Sequence, residues 1–228
     1  MLDPYKVINT TSSTDIEISK TIEHILCALF IKKIDRIAIE VIGSEIPILD
    51  GSISDFLNLL EGNELILQEP APFVNIDQYL EVLDYKVYPS DNFGVYCFWQ
   101  DPKTKNKTLV YWQEGELLLP SKTFGYLQDY YIFESMNLAK GADITNTIIL
   151  SVNKTNPNPH HLNYHKIIDF LGDLYTTAVP YFKGIFYLHN PTHTKNNILS
   201  REIYQKYCRG GSQNDKHVVQ LRSTSKTI

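Results

Sequence analysis

Residues 162–178, LNYHKIIDFLGDLYTTA, decide the fold, because they carry a helical apolar period together with a polar row. Ile167, Ile168, Leu171 and Leu174 supply the apolar surface that holds this helix against a core, and the helix stops before Pro180. His165 and Asp169 stand four apart, so both side chains project from one face, and Asp173 continues the row one turn later. An i, i+4 His/Asp pair has good metal-chelating geometry. Taken alone, such a row is more often a solvated helix face.

Working outward, YLEVLDYKVYP (79–89), NFGVYCFWQ (92–100) and TLVYWQ (108–113) alternate apolar and polar residues and predict an antiparallel meander. FGYLQDYYIFESMNLA (124–139) predicts a helix stopped by Gly141, and NTIILSV (146–152) a strand. The loop NKTNPNPHH precedes the long helix; strand GIFYLH (184–189) and a last helix from about Thr194 follow it. Upstream, QEPAPF (68–73) interrupts the pattern and predicts a linker. Before it, a short strand, a helix around SKTIEHILCALF (19–30) and strand RIAIEVI (36–42) form an α/β unit. Ile22, Ile25, Leu26 and Leu29 are its buried stripe, with Ser19 or Thr21 as candidate N-caps. EIPILDGS (45–52) offers a turn at Asp50-Gly51, and Ser52 or Ser54 a cap for helix DFLNLL. The class is therefore α+β, with a domain over 1–68, a second over 73–208 and a flexible tail over 209–228.

The composition, 43% hydrophobic over 228 residues, supports a sizeable core. A net charge of -5 argues against nucleic acid as partner, since phosphate binders need a dense positive surface. No apolar run approaches the roughly 18 residues of a membrane span, and no secretory leader is visible at Met1, so a cytoplasmic protein is expected. Cys27, Cys97 and Cys208 are too few and scattered for a disulfide framework or a metal knuckle. Glu23-His24 opens the first helix, where successive side chains lie about 100° apart, so one can ligate a metal while the other reaches a water beside it. Two histidines and a carboxylate with an open position suit hydrolytic zinc and equally non-haem Fe(II). Ligand count alone leaves both open.

TIEH (21–24), EIPILDGS (45–52), KTFGYLQD (122–129), HKIIDFLGDL (165–174) and THTKNN (192–197) resemble, in order, signatures of the bacterial UDP-3-O-acyl-N-acetylglucosamine deacetylases, zinc amidases of lipid A synthesis. The likeness covers roughly residues 8–207. It implies a two-domain sandwich with helices packed between two sheets, and zinc, with Fe2+ as the alternative, on His24, His165 and Asp169. It further implies Glu23 as general base, Thr123 as oxyanion donor, His193 as general acid and Asp173 as the anion favouring its imidazolium. Lys166, Asp129, Phe124 and Trp99 correspond to substrate-contacting residues. Core packing is the competing reading for Phe124 and Trp99, and surface placement for Lys166 and Asp129.

The resemblance also implies the substrate UDP-3-O-acyl-N-acetylglucosamine, hydrolysed at its N-acetyl group, transient contact with the inner-membrane surface, and no obligate protein partner. EIPILDGS is expected to be structural. Family members carry several tens of residues of strands before the segment at which this chain starts, so the first domain is expected to be incomplete. The alternative function is a truncated, non-catalytic homologue that binds zinc or nucleotide-sugar without turnover.

Overall fold

The computed structural model describes residues 2–62, 71–118, 121–135, 143–153, 156, 158–209 and 219–224. A 3-10 turn at Pro4–Lys6 leads into β1 (Val7–Asn9), paired antiparallel with β2 (Asp15–Ile16). Helix α1 (Glu23–Lys32) follows and is enclosed almost all round, with Glu23, His24 and every residue from Leu26 to Phe30 buried. The expected stripe is present, Ile25 being only partly buried, but a helix apolar on one side alone would not be so covered. Neither expected cap is used: Ile22 holds the N-cap position without a side-chain bond, and the Thr21 hydroxyl donates instead to Glu45 at 2.8 Å.

Strand β3 (Ile37–Ile42) and helix α2 (Ser54–Leu60) complete the first unit. Between them the Asp50-Gly51 turn forms as read, with Gly51 at φ +80° and its missing Cβ site 1.7 Å from the Asn146 carbonyl oxygen. Only glycine satisfies both demands. The Ser52 hydroxyl accepts from the Ser54 N–H at 3.1 Å at the start of α2.

The second half comprises β4 (Phe73–Asn75), β5 (Leu80–Val82), β6 (Tyr85–Tyr88), β7 (Phe93–Gln100), β8 (Lys107–Gln113), β9 (Thr123–Tyr126), α3 (Leu127–Ser135), β10 (Thr147–Leu150), α4 (His160–Tyr175), β11 (Tyr181–His189) and α5 (His193–Ile203). Its main sheet runs β5-β6-β11-β7-β8, with β4 on the start of β11, and so departs from the expected meander. β11 enters between β6 and β7, antiparallel to the first and parallel to the second. The four residues linking β6 to β7 reach about 13 Å when extended, enough to step over one strand. Along β11, Phe182, Phe186 and Leu188 point to the core and Tyr181 and Tyr187 to solvent, the alternation its sequence promised.

On the outer face, tyrosines from neighbouring strands meet ring to ring: Tyr79–Tyr88 at 5.1 Å, Tyr88–Tyr187 at 5.4 Å, Tyr187–Tyr96 at 4.5 Å and Tyr96–Tyr111 at 4.4 Å. On the inner face one apolar cluster joins both halves, Phe30 of α1 lying 5.5 Å from Phe93 and 6.1 Å from Phe182.

Two further expectations change. The segment read as a helix from Phe124 begins as β9, pairing parallel with β10 so that Phe124 and Tyr126 turn toward Trp99, Leu150 and Leu162; the helix starts only at Leu127. Gly141 and residues 63–70 of the linker region lie outside the described residues. Within the stretch expected to be a loose tail, Val219–Thr224 form β12, parallel to β3 with Val219 opposite Ile37, where it supplies hydrogen-bond partners to that strand's edge. Among the described residues no helix is long and apolar enough to cross a membrane.

Helix α4 lies between α1 and the strands β7 and β8. Where α1 crosses α4, a Cβ on Gly172 would sit 2.0 Å from the Glu23 carbonyl oxygen, so backbone packs directly on backbone. Gly172→Ala is therefore expected to destabilise the protein by roughly 1–3 kcal/mol, the usual cost of overpacking, whereas Gly125→Ala, with open space at its Cβ site, should cost under about 1 kcal/mol. Urea denaturation of both variants measures the difference.

Candidate metal centre

The crossing of α1 and α4 sets His24 beside His165 and Asp169. One nitrogen or oxygen from each of the three lies within 4.8 Å of the others. Asp169 Oδ1 is 3.4 Å from His165 Nε2 and 3.8 Å from His24 Nε2. Ligands held at 2.0–2.1 Å around a tetrahedral ion stand about 3.4 Å apart, so the donor set fits a divalent metal. The row on α4 is no solvated face: His165 is 5% and Asp169 3% exposed. His165 Nδ1 faces the Ser121 carbonyl oxygen at 3.2 Å, which keeps a proton on that nitrogen and directs the lone pair of Nε2 at the site. His24 Nδ1 is buried with no hydrogen-bond partner among the described residues, so none of them anchors that ring as Ser121 anchors His165.

Burial lowers the His165 imidazole to about 4, so it stays neutral as a ligand must, although Asp169 pulls the other way. Burial on its own would raise the Asp169 carboxyl, but His165, Lys166, His193 and His24 hold it well below the carboxylate range. Two further titratable groups flank the trio. Glu23 is buried, which raises its carboxyl above the usual value. His193, at the first position of α5 where the Thr192 hydroxyl caps the helix, places Nδ1 2.9 Å from Asp173 Oδ2 and Nε2 3.9 Å from Asp169 Oδ2. Burial works against its charge, yet Asp173, Asp169 and Glu23 together raise it to about 10.

A sequence model of the UDP-3-O-acyl N-acetylglycosamine deacetylases matches residues 1–205. The chain belongs to this deacetylase family. Its relatives include proteins named UDP-3-O-acyl-N-acetylglucosamine deacetylase from Aquifex aeolicus, 33% identical over 88% of this chain and 76% of the relative, and from Helicobacter hepaticus, 30% identical over 86% and 72%. One from Campylobacter jejuni is 28% identical over 98% of this chain and 80% of its own. The relatives are named as deacetylases, and in this chain a buried carboxyl and a carboxylate-paired imidazole stand beside the candidate metal trio.

The other residues singled out from the sequence fall into two groups. Thr123, at the start of β9, brings its hydroxyl 3.3 Å from His165 Nε2. The EIPILDGS turn accounts for that position, because the Gly51 carbonyl accepts from the Thr123 N–H at 2.8 Å. Lys166 pairs with Asp169 Oδ2 at 3.0 Å and lies 5.4 Å from the Phe124 ring and 5.8 Å from Trp99. Phe124 in turn packs edge-on to His165 at 5.7 Å and to Trp99 at 6.1 Å, so Lys166, Phe124 and Trp99 cluster beside the candidate metal trio. Asp129 instead pairs at 2.6 Å with Lys103, whose ammonium lies 4.6 Å from the Tyr126 ring.

Sequence reading missed three buried neighbours of Asp173. Asn196 donates to its Oδ2 at 2.9 Å, the Ser200 hydroxyl to its carbonyl at 3.0 Å, and Thr14 to its Oδ1. Asn196 stood within the quoted THTKNN signature; Thr14 lay in a polar run that signals only a loop.

The raised His193 value gives a stability prediction of fixed sign. Because the folded state binds this proton more tightly than the unfolded chain, its contribution is complete below about pH 6.5 and lost as pH rises through about 10. Thermal melting of metal-stripped protein should therefore fall across that window, and His193→Gln should flatten the fall.

Proposed function

We propose that this protein is a zinc-dependent hydrolase of the N-acetyl group of UDP-3-O-(3-hydroxyacyl)-N-acetylglucosamine, releasing acetate and a free amine. The observation that carries this reading is the convergence of a His/His/Asp trio, a buried carboxylate and a carboxylate-paired imidazole in a member of this deacetylase family. His24, His165 and Asp169 would hold the ion, which when bound would supply Lewis acidity toward water and the acetamide carbonyl.

Glu23 accepts the proton of the attacking water at its carboxylate, an atom kept basic by burial. The Thr123 hydroxyl donates to the oxygen on which charge develops, an interaction worth several kcal/mol in a water-poor site. His193 delivers its Nε2 proton to the leaving nitrogen, and Asp173 keeps that imidazole charged. Lys166, with the Phe124 and Trp99 rings, orients the sugar and its phosphates, and Asp129, paired with Lys103, adds a further contact. The exposed Leu127, Ile132 and Ile149 of α3 and β10 offer apolar area to an acyl chain. A cytoplasmic protein working against the inner-membrane surface suits such a substrate.

His24→Ala or His165→Ala should lose bound zinc, while Glu23→Ala should retain it and lose turnover by about 10²–10⁴-fold. Metal analysis alongside an acetate-release assay tests both, and full zinc content without His165 would sink the ligand assignment. The rate should follow a bell, rising as Glu23 deprotonates above its ordinary range and falling as His193 loses its proton near pH 10. His193→Ala should remove the alkaline limb; zinc binding without acetate release at any pH would favour the non-catalytic alternative.

A further inference from the structure

We propose that Thr14 is the positioning residue that fixes which nitrogen of His193 carries the transferable proton and ties that imidazole to Glu23, a role that rests on the deacetylase reading above. Thr14 is fully buried, and each of its polar groups is committed. Its N–H donates to Glu23 Oε2 at 3.0 Å. Its carbonyl accepts from the Ile22 N–H at 3.0 Å, one residue before α1, so the same backbone that holds the base also fixes where its helix begins. Its hydroxyl donates to Asp173 Oδ1.

A hydroxyl has a single proton, and here Asp173 takes it. Thr14 Oγ1 therefore presents only lone pairs to His193 Nδ1, 3.2 Å away. Asp173 Oδ2, 2.9 Å from the same nitrogen, is likewise an acceptor. Two acceptors converging on Nδ1 hold a proton there, which leaves Nε2, on the Asp169 side, as the nitrogen that exchanges a proton with the reacting amine. Asp173 is itself steadied by Asn196, whose carbonyl oxygen accepts from the Tyr85 hydroxyl at 2.8 Å. Thr14 supplies what that chain lacks, a direct bond to the base. One residue from the polar run before α1 thus links the ends of α1, α4 and α5 at which the proton-transferring groups stand.

Thr14→Val removes the hydroxyl while keeping the branched shape and the N–H to Glu23, and Thr14→Ser restores the hydroxyl. In metal-stripped protein labelled with 15N-histidine, Thr14→Val should shift the His193 Nδ1 resonance and Thr14→Ser should return it toward the parent's. In zinc-loaded protein, Thr14→Val should keep the parent's zinc content and KM, lower kcat about tenfold, and be largely rescued in Thr14→Ser. A parent-like ring spectrum and kcat in Thr14→Val would overturn the proposal. So would equal losses in both variants accompanied by a lowered melting temperature, the mark of a packing role alone. If the parent releases no acetate, the deacetylase reading falls while the ring-nitrogen spectra alone decide the role of Thr14.

Discussion

The contact of α1 with α4 at Gly172 governs the rest of the structure. A helix pair separated by side chains would hold His24 too far from His165 and Asp169 to share one ion, and the 2.0 Å clearance at the missing Cβ measures how little space is left. The same closeness explains why α1 is buried on nearly every side. Its apolar residues face Phe93 and Phe182 across the core, while Glu23 and His24 face the polar row of α4.

Enclosing three carboxylates in one small volume is costly unless each is matched, and here each is matched differently. Asp173 receives hydrogen bonds from Thr14 and Asn196 and faces a charged imidazole. Asp169 turns one oxygen to Lys166 and His193 and the other to two imidazole nitrogens. Glu23 receives the Thr14 N–H but less compensation than Asp169, and burial raises its carboxyl while the neighbouring cations hold that of Asp169 low. Unequal matching lets one carboxyl rise and another fall although the side chains are chemically alike.

Much of this arrangement was legible beforehand because it follows from helical period. His165, Asp169 and Asp173 share a face by spacing alone, and the alternation of residues 79–113 and 184–189 gave the strands of the main sheet. Long-range pairing left no such trace: nothing in GIFYLH says that β11 enters between β6 and β7, and nothing in Val219–Thr224 says that it joins β3. Residues 124–126, FGY, read as helix because their aromatic residues suit either state, and their pairing with β10 decided the matter. Thr14 was invisible for a related reason, since a threonine in a polar run acquires meaning only from what folds against it.

The tyrosine row on the outer sheet face has a consequence for how the molecule meets its surroundings. Side chains from five adjacent stretches of chain, with Tyr96 and Tyr187 within 9° of coplanar, spend much of their ring area on one another. The rings nevertheless stay open to solvent, with Tyr79, Tyr88, Tyr111 and Tyr187 all exposed, so the row is an aromatic surface as well as a brace between strands. Those contacts run across every seam of the sheet from Tyr79 to Tyr111, adding sideways cohesion to the backbone ladder on the face turned away from the core.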